Sequence, residues 1–305
     1  MGKKIGLLVG REQDWPQAFM AEVNGRDEDV QAELVKLYGT YIDDTCEYAV
    51  IIDRISYEIP YYRAFLKFAS FHGTHIINDP FIWSADDKLI GAALARNLGF
   101  KSPRTIMLPN KETTSRDLTA DDFRNLGYPI DWDGIVEKVG VPAILKNAHT
   151  GGRHIVHRVH SADELIELYD TSGDQTMILQ QIIDAEHHIH CFVIGQKDVL
   201  TLRYSREKKR YLSKPLDPEN PIVKYMVAAA IQLSKAYQYD INMVEFVVKD
   251  VDPYVINSTN PTPFIDRKLM LPEQFDWCVQ KTADLAIERA KRPFPHTFTA
   301  RPLGG

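Results

Sequence analysis

Two adjoining apolar runs, Ile241 to Val248 and Tyr254 to Ile256, constrain this chain most. A short acidic turn containing Asp250 and Asp252 separates them, and the second run leads into Asn257, Ser258, Thr259, Asn260, Pro261 and Pro263. Runs rich in β-branched and aromatic residues, bounded by Asp, Asn and Pro, predict a strand pair. Glu245 lies within the first strand and Asn260 follows the second, so the hairpin brings an acid and an amide to one end. Hard divalent ions such as Mg²⁺ take oxygen ligands from one or two side chains together with nucleotide phosphates. That pairing is therefore a candidate metal-nucleotide seat. The bland alternative is a solvated strand acid followed by an Asn-Pro turn.

Other segments support the first reading by their order. Ser84 to Lys88 opens a helix that runs to Gly99, followed by Ser102, Pro103, Arg104 and Thr105. Pro142 to Lys146 reads as a short buried strand ending in a cation, with Thr150, Gly151 and Gly152 close behind. Met177 to Ile183 and Ile189 to Gly195 are further strands. From Ile77 to Pro263 this series resembles the ATP-grasp superfamily, in its branch of glutathione synthetase, D-alanine ligase and RimK-type amino-acid ligases. The resemblance implies an α/β (α+β) protein, the ATP-grasp fold with an N-terminal Rossmann-like pre-ATP-grasp domain. The expected domains are residues 1–103 for that α/β part, 104–183 for the central lid and 184–305 for the C-terminal part.

Composition bounds the alternatives. A chain of 305 residues with 44% apolar and 26% charged residues has the make-up of an ordinary globular protein. No apolar run approaches the ~20 residues needed to span a bilayer, and the start has no signal-type apolar stretch, so a cytoplasmic protein without membrane contact is expected. Net charge of −6 argues against a nucleic-acid partner. Cys46, Cys191 and Cys278 are far apart and fit reduced core thiols rather than a disulfide framework or zinc site.

Along the first 80 to 100 residues strand and helix alternate. Lys4 to Gly10, Tyr48 to Asp53 and His75 to Asn78 read as strands of a small parallel sheet. Trp15 to Val23, Val30 to Tyr38 and Pro60 to Ser70 have helical apolar spacing. Ser84 and Asp87 suggest a capped helix start, with Leu89, Ile90, Ala93, Leu94 and Leu98 as one apolar stripe and Gly99 as the stop. Asn110 to Asp133 reads as a linker with one short helix. Ser161 caps another helix, and Ile222 to Tyr237 and Pro272 to Lys291 are the last two.

The chemistry expected of individual residues starts with Lys146, because a lysine at the end of a buried strand needs an anion, and ATP phosphates would serve. The resemblance assigns Lys146 and Lys88 to the phosphates and implies a mobile loop at Gly151 and Gly152, whose backbone N–H groups could approach a phosphate. An ordinary hairpin turn explains the two glycines almost as well. Gln180, Gln181, Ile182 and Ile183 occupy the family's hinge, where backbone groups read adenine. Glu186, with Asp184 as an alternative, is the candidate for the ribose. Lys209 in the basic run 206–210 falls where the family has further phosphate contacts. Arg203 is a candidate to stabilise an oxyanion, and Arg54, after a sheet strand, to hold a substrate carboxylate, a structural ion pair being equally compatible.

Seven of the ten histidines lie between His149 and His190. His154, His157 and His160 cannot chelate one ion, because three-residue spacing alternates faces and six residues of strand span about 20 Å. His188 and His190 share a face, and stand where RimK-like ligases carry an acid and an arginine; they are candidate nucleotide and substrate contacts. The metal seat departs from the family pattern as well: Glu245 fits its first acid, but Ser258 replaces the glutamate expected before Asn260. Asn257 or Asp266 could make up the shortfall, giving Glu245, Asn257 and Asn260 as the ligand set.

The resemblance implies an ATP- and Mg²⁺-dependent ligase that activates a small-molecule carboxylate as an acyl phosphate for attack by an amine or thiol, releasing ADP and phosphate. Family members are often dimers or tetramers. A small-molecule kinase and a non-catalytic ATP-binding regulator are the rivals, the latter suggested by the missing glutamate.

Overall fold

The computed structural model describes residues 2–26, 28–84, 87–112, 122, 124–149, 156–185 and 187–292. The chain divides into two compact units. The first comprises Met1–Ala85, His187–Glu245 and Thr259–Gly305, the second Asp86–Glu186 and Phe246–Ser258.

In the first unit, β1 (Lys3–Leu8), β2 (Val30–Leu34), β3 (Tyr48–Asp53) and β4 (His75–Ile77) form a sheet in the order β2-β1-β3-β4 with all pairings parallel. Parallel neighbours require crossovers; α1 (Asp14–Asn24) and α2 (Pro60–Phe71) supply two of them. The helix expected over residues 30–38 is instead β2. Val30 and Ala32 are buried while Gln31 is exposed, a period of two. So short a segment satisfies both periods, and pairing with β1 decides between them.

β9 (His187–Ile194), β10 (Asp198–Ser205) and β11 (Arg210–Tyr211) form a second sheet with β12 (Ile241–Lys249) beside β9. Gly195 and Gln196, at φ 63° and 58°, make the tight turn from β9 to β10. This turn sets Leu202 opposite His190 and Tyr204 opposite His188. α8 (Pro272–Lys291) brings Phe275, Cys278 and Val279 into one core with Phe192, Leu202, Tyr211 and Met243. α7 (Pro221–Ala236) contacts β9 and β10. α3 (Pro80–Ser84) also belongs to this unit.

Asp240, immediately before β12, accepts from His75 Nε2 at 2.5 Å and Arg289 Nη2 at 2.7 Å. Burial pushes its carboxyl up, but the hydrogen bonds from His75 and Arg289 outweigh that and hold it below the ordinary 3.8. A carboxyl depressed on folding stabilises above its unfolded pKa, and the contribution is lost as pH falls through its folded value. Asp240→Asn should therefore cost ~1–3 kcal/mol at neutral pH. The variant should also lose less stability than wild type on acidification below pH 3.8. Urea midpoints on either side of that pH check this; parallel losses would refute it.

In the second unit, β5 (Thr105–Met107), β6 (Ala143–Asn147), β7 (Val156–Val159) and β8 (Met177–Gln181) form a sheet in the order β5-β8-β6-β7, antiparallel throughout. α5 (Trp132–Val139) and α6 (Ala162–Asp170) cover one face, enclosing Leu145, Leu165, Tyr169 and Leu179. Ser161 caps α6 as expected, and the Glu164 carboxylate accepts in return from the His160 N–H. The far end of β12 and β13 (Asp252–Asn257) belong here, beside α4 (Lys88–Asn97).

Three local expectations change. Asp87 alone caps α4, accepting from Ile90 N–H at 2.8 Å, whereas the Ser84 hydroxyl donates back to Pro80 at the end of α3. α4 buries Gly91 and Ala95, while Ile90 and Leu98 of the expected apolar stripe are 50% and 36% exposed. Small residues form the packed face because α4 lies against β13. α5 also extends past the polar stretch 110–133, beginning where Asp131 caps the Gly134 N–H. Among the described residues no helix is long and apolar enough to cross a membrane.

Candidate functional site

β6 and β8 pair with Ile144 opposite Gln180 and Lys146 opposite Ile178. Opposed residues of antiparallel strands share a face, so Lys146 and Gln180 look away from the helical core that holds Leu145 and Leu179. Lys146 Nζ donates to Gln180 Oε1 at 2.9 Å. Lys88, the first residue of α4, is tied to the chain leaving β6: its N–H donates to Ala148 at 2.8 Å and its Nζ to His149 at 2.7 Å. A cation at a helix N-terminus is disfavoured by the helix dipole, and the His149 carbonyl offsets that. Two lysines distant in sequence are thus held on either side of residues 147–149.

In the hinge the Gln181 N–H donates to Arg104 and the Ile182 N–H to Pro142, at 2.9 and 3.3 Å. The Gln181 side chain, on the helical face, receives the Arg104 N–H and Nε at 3.3 and 3.4 Å. Adenine readout by these two N–H groups is therefore unavailable in this arrangement, which leaves Ile183 and the carbonyls. Gly151 and Gly152, with Thr150 and Arg153, and Glu186 lie outside the described residues, as does His154.

In the first unit, alternation along β9 and β10 puts His188, His190, Leu202 and Tyr204 on one face. His190 stacks on Tyr204, centroids 4.8 Å apart, and its Nδ1 hydrogen-bonds the Tyr211 hydroxyl at 3.0 Å. Its Nε2 lies 3.8 Å from Glu245 Oε2. Burial holds His190 below its ordinary pKa against the opposing pull of Glu245. Burial, with Arg206 and His190 nearby, lowers His188 to about 4. His188 is therefore neutral at pH 7. A proton-NMR titration should give it a midpoint near 4 rather than 6.5. Because the unfolded state binds that proton at higher pH, His188 should weaken stability as pH falls from 6.5 towards 4, and His188→Gln should remove that component. A midpoint near 6.5 would contradict the burial argument.

The same register sends Arg203 to the opposite face, opposite Ile189 and beside Cys191 and Thr201. Arg203, expected to stabilise an oxyanion, thus stands on the face away from His188 and His190. Its Nε is buried with no partner among the described residues. Lys209 sits in the exposed β10–β11 turn at φ 49°. Arg54 is buried and paired: it donates from Nε to Glu12 at 2.9 Å, again to Glu12 from Nη2, and from Nη2 to the Pro263 carbonyl at 2.7 Å. It also lies over the Trp15 ring at 4.9 Å. The ion-pair alternative for Arg54 is thus present, and among the described residues its buried Nη1 has no hydrogen-bond partner.

Asn260 is pinned to β12 by its main chain, its N–H donating to Asn242 Oδ1 at 2.9 Å and its carbonyl accepting from Met243 N–H at 3.0 Å. Glu245 follows Met243 by two residues on the same strand face. Asn257 is the last residue of β13 and Ser258 is buried. No cluster of three His, Cys, Asp or Glu side chains suited to a metal occurs among the described residues. One carboxylate with amide oxygens is a poor zinc or calcium cage. It fits Mg²⁺, which keeps several waters and shares its ligands with phosphates.

Sequence reasoning missed Tyr204 and Tyr211. The alternation Leu200, Leu202, Tyr204 was available as a signal, but assigning it to the His190 face needed the turn at Gly195 and Gln196.

No protein-family model matches the chain. A D-alanine--D-alanine ligase of Oceanobacillus iheyensis is 23% identical over 189 residues, 53% of this chain and 51% of that protein. The chain thus matches about half the length of that relative. Among solved structures, a RimK domain ATP-grasp protein from Sphaerobacter thermophilus superposes with a TM-score of 0.68 at 16% identity, covering 93% of this chain and 99% of that one. A RiPP-associated ATP-grasp ligase of Chryseobacterium gregarium, in complex with ADP and a leader and core peptide, superposes at 0.65 and 15% identity, covering 97% and 99%. This likeness over nearly the full length of each chain shows that the protein has the ATP-grasp fold.

Proposed function

We propose that the protein is an ATP-dependent ligase joining a carboxylate to an amine or thiol with release of ADP and phosphate. The observation that carries this reading is the pair of lysines held around residues 147–149, with Gln180 beside Lys146, in a chain of ATP-grasp fold. The γ-phosphoryl group passes to a carboxylate oxygen of the acid substrate, breaking its bond to ADP. The amine nitrogen then attacks the acyl carbon, the carbon–oxygen bond to phosphate breaks, and the nitrogen loses a proton.

In this reading Lys146 and Lys88 neutralise charge spread over the phosphates. Gln180 holds Lys146 extended along the strand face, and Ile183 packs beside the base. Glu245 and Asn260 would hold Mg²⁺, which when bound offsets phosphate charge and orients the triphosphate. Neutral His188 and His190 add no positive charge beside Glu245. Arg54, at the carboxyl end of β3 where open α/β sheets bind ligands, would serve the acid substrate indirectly, since its side chain is 2% exposed and bound to Glu12 and the Pro263 carbonyl.

The test is ADP release against a panel of amino acids, peptides and small acids, with and without amine acceptors and with hydroxylamine as a trap for acyl phosphate. The expected result is ADP formation that needs both an acid and Mg²⁺, and a hydroxamate when the amine is replaced by hydroxylamine. A phosphorylated product stable to hydroxylamine would select a kinase. ATP binding with no turnover across the panel would select a regulator.

A further inference from the structure

A cavity of about 480 Å³ lies in the second unit on the helical side of its sheet, lined by Arg96, Arg104, Ile106, Ile135, Lys138 and Val139 among others. Its size falls in the range of small-molecule sites. Ile106, Ile135 and Val139 make an apolar floor continuous with the core of this unit. Three cations stand at its rim, and none takes part in an ion pair among the described residues. Arg96 reaches only the Ser102 hydroxyl and carbonyl, at 3.1 and 3.2 Å, and Arg104 Nε reaches the neutral Gln181 amide. Among the described residues one acid lines the rim, Asp131, and it caps α5 through the Gly134 N–H at 2.9 Å.

The C-terminal end of α5 draws cations by its dipole, which accounts for Lys138 in the last turn. It also accounts for Arg104, which passes so close to Gly140 that a Cβ there would meet Nη2 at 3.0 Å. The dipole does not explain an apolar cavity beneath them. Three unpaired cations over such a floor suit a ligand with one anionic end and one apolar end.

We propose that this cavity is a binding site for a small organic anion, a carboxylate or phosphate carried on an aromatic or branched apolar body. It lies on the face of the sheet opposite Lys146 and Gln180, so it is separate from the nucleotide contacts assigned above. Arg104 connects the cavity to the hinge, because it holds both the backbone and the side chain of Gln181. That connection rests on the nucleotide reading of the hinge; the cavity itself does not.

Phenyl phosphate and phenylacetate are the probes, with inorganic phosphate and 2-phenylethanol as the halves of the ligand. With the full chain methyl-labelled at Ile and Val, either probe should shift the Ile106, Ile135 and Val139 signals saturably, the difference between them telling phosphate from carboxylate. Neither half should do so at the same concentration. Arg96→Gln with Lys138→Gln removes two exposed charges and should weaken the probes roughly tenfold or more while leaving ADP binding unchanged. Shifts confined to other methyls, equal affinity in the double variant, or competition by ADP would each overturn the site. Failure of the ligase reading would leave these outcomes untouched.

Discussion

Lys146→Met should raise the dissociation constant for ADP roughly 10- to 100-fold, as expected for loss of a charge-assisted contact to phosphate worth ~1.5–3 kcal/mol. Methionine keeps most of the length and volume, so the strand and its apolar surroundings persist. The native cost is the Lys146–Gln180 hydrogen bond of 2.9 Å, on the order of 1 kcal/mol. Calorimetric titration with ADP and Mg²⁺, beside a urea curve for the same variant, separates the two effects. Lys88→Met should act in the same direction. It should also loosen residues 147–149, since its ammonium holds the His149 carbonyl. ADP binding within twofold of wild type in Lys146→Met would remove the central element of the proposed function.

Glu12→Gln should destabilise the protein by ~3–5 kcal/mol, because it removes the hydrogen-bonded counter-charge of buried Arg54. Burial pushes Arg54 down, and the charge and hydrogen bonds of Glu12, with Tyr57 and Asp53 nearby, together more than reverse this. The Arg54 side chain is only 2% exposed, so water cannot replace the lost carboxylate. Removing both charges together, Glu12→Leu with Arg54→Met, should cost less than Glu12→Gln alone, since a well-packed apolar pair tolerates burial. Urea unfolding of the single and double variants makes the comparison. If the double variant is as unstable as the sum of the singles, the pair is not coupled and the burial argument fails.

Much of the fold was legible in the chain. The last helix begins and ends at Pro272 and Lys291 as its spacing indicated, Ser161 caps α6, and the three strands assigned to residues 142–195 are present. Each rests on local periodicity or a capping side chain, which neighbouring residues determine among themselves. Residues 30–38 and the stripe on α4 were misread for the opposite reason. A short amphipathic segment satisfies two periods, and which face it buries depends on a partner far away in sequence.

The candidate site divides along the same line. Residue types and their order along the chain single out Lys88, Lys146, Glu245 and Asn260, because a lysine ending a buried strand and an acid within one are costly unless something answers their charge. Register is a different matter. Only pairing in space puts Gln180 beside Lys146, Tyr204 and Tyr211 around His190, and Arg203 on the far face. A one-residue slip would reverse each of these. Arg54 shows the limit most plainly: the chain marks it as a cation at a strand end, and Glu12 and Pro263, brought together by closure of the first unit, decide that most of its guanidinium is already bound.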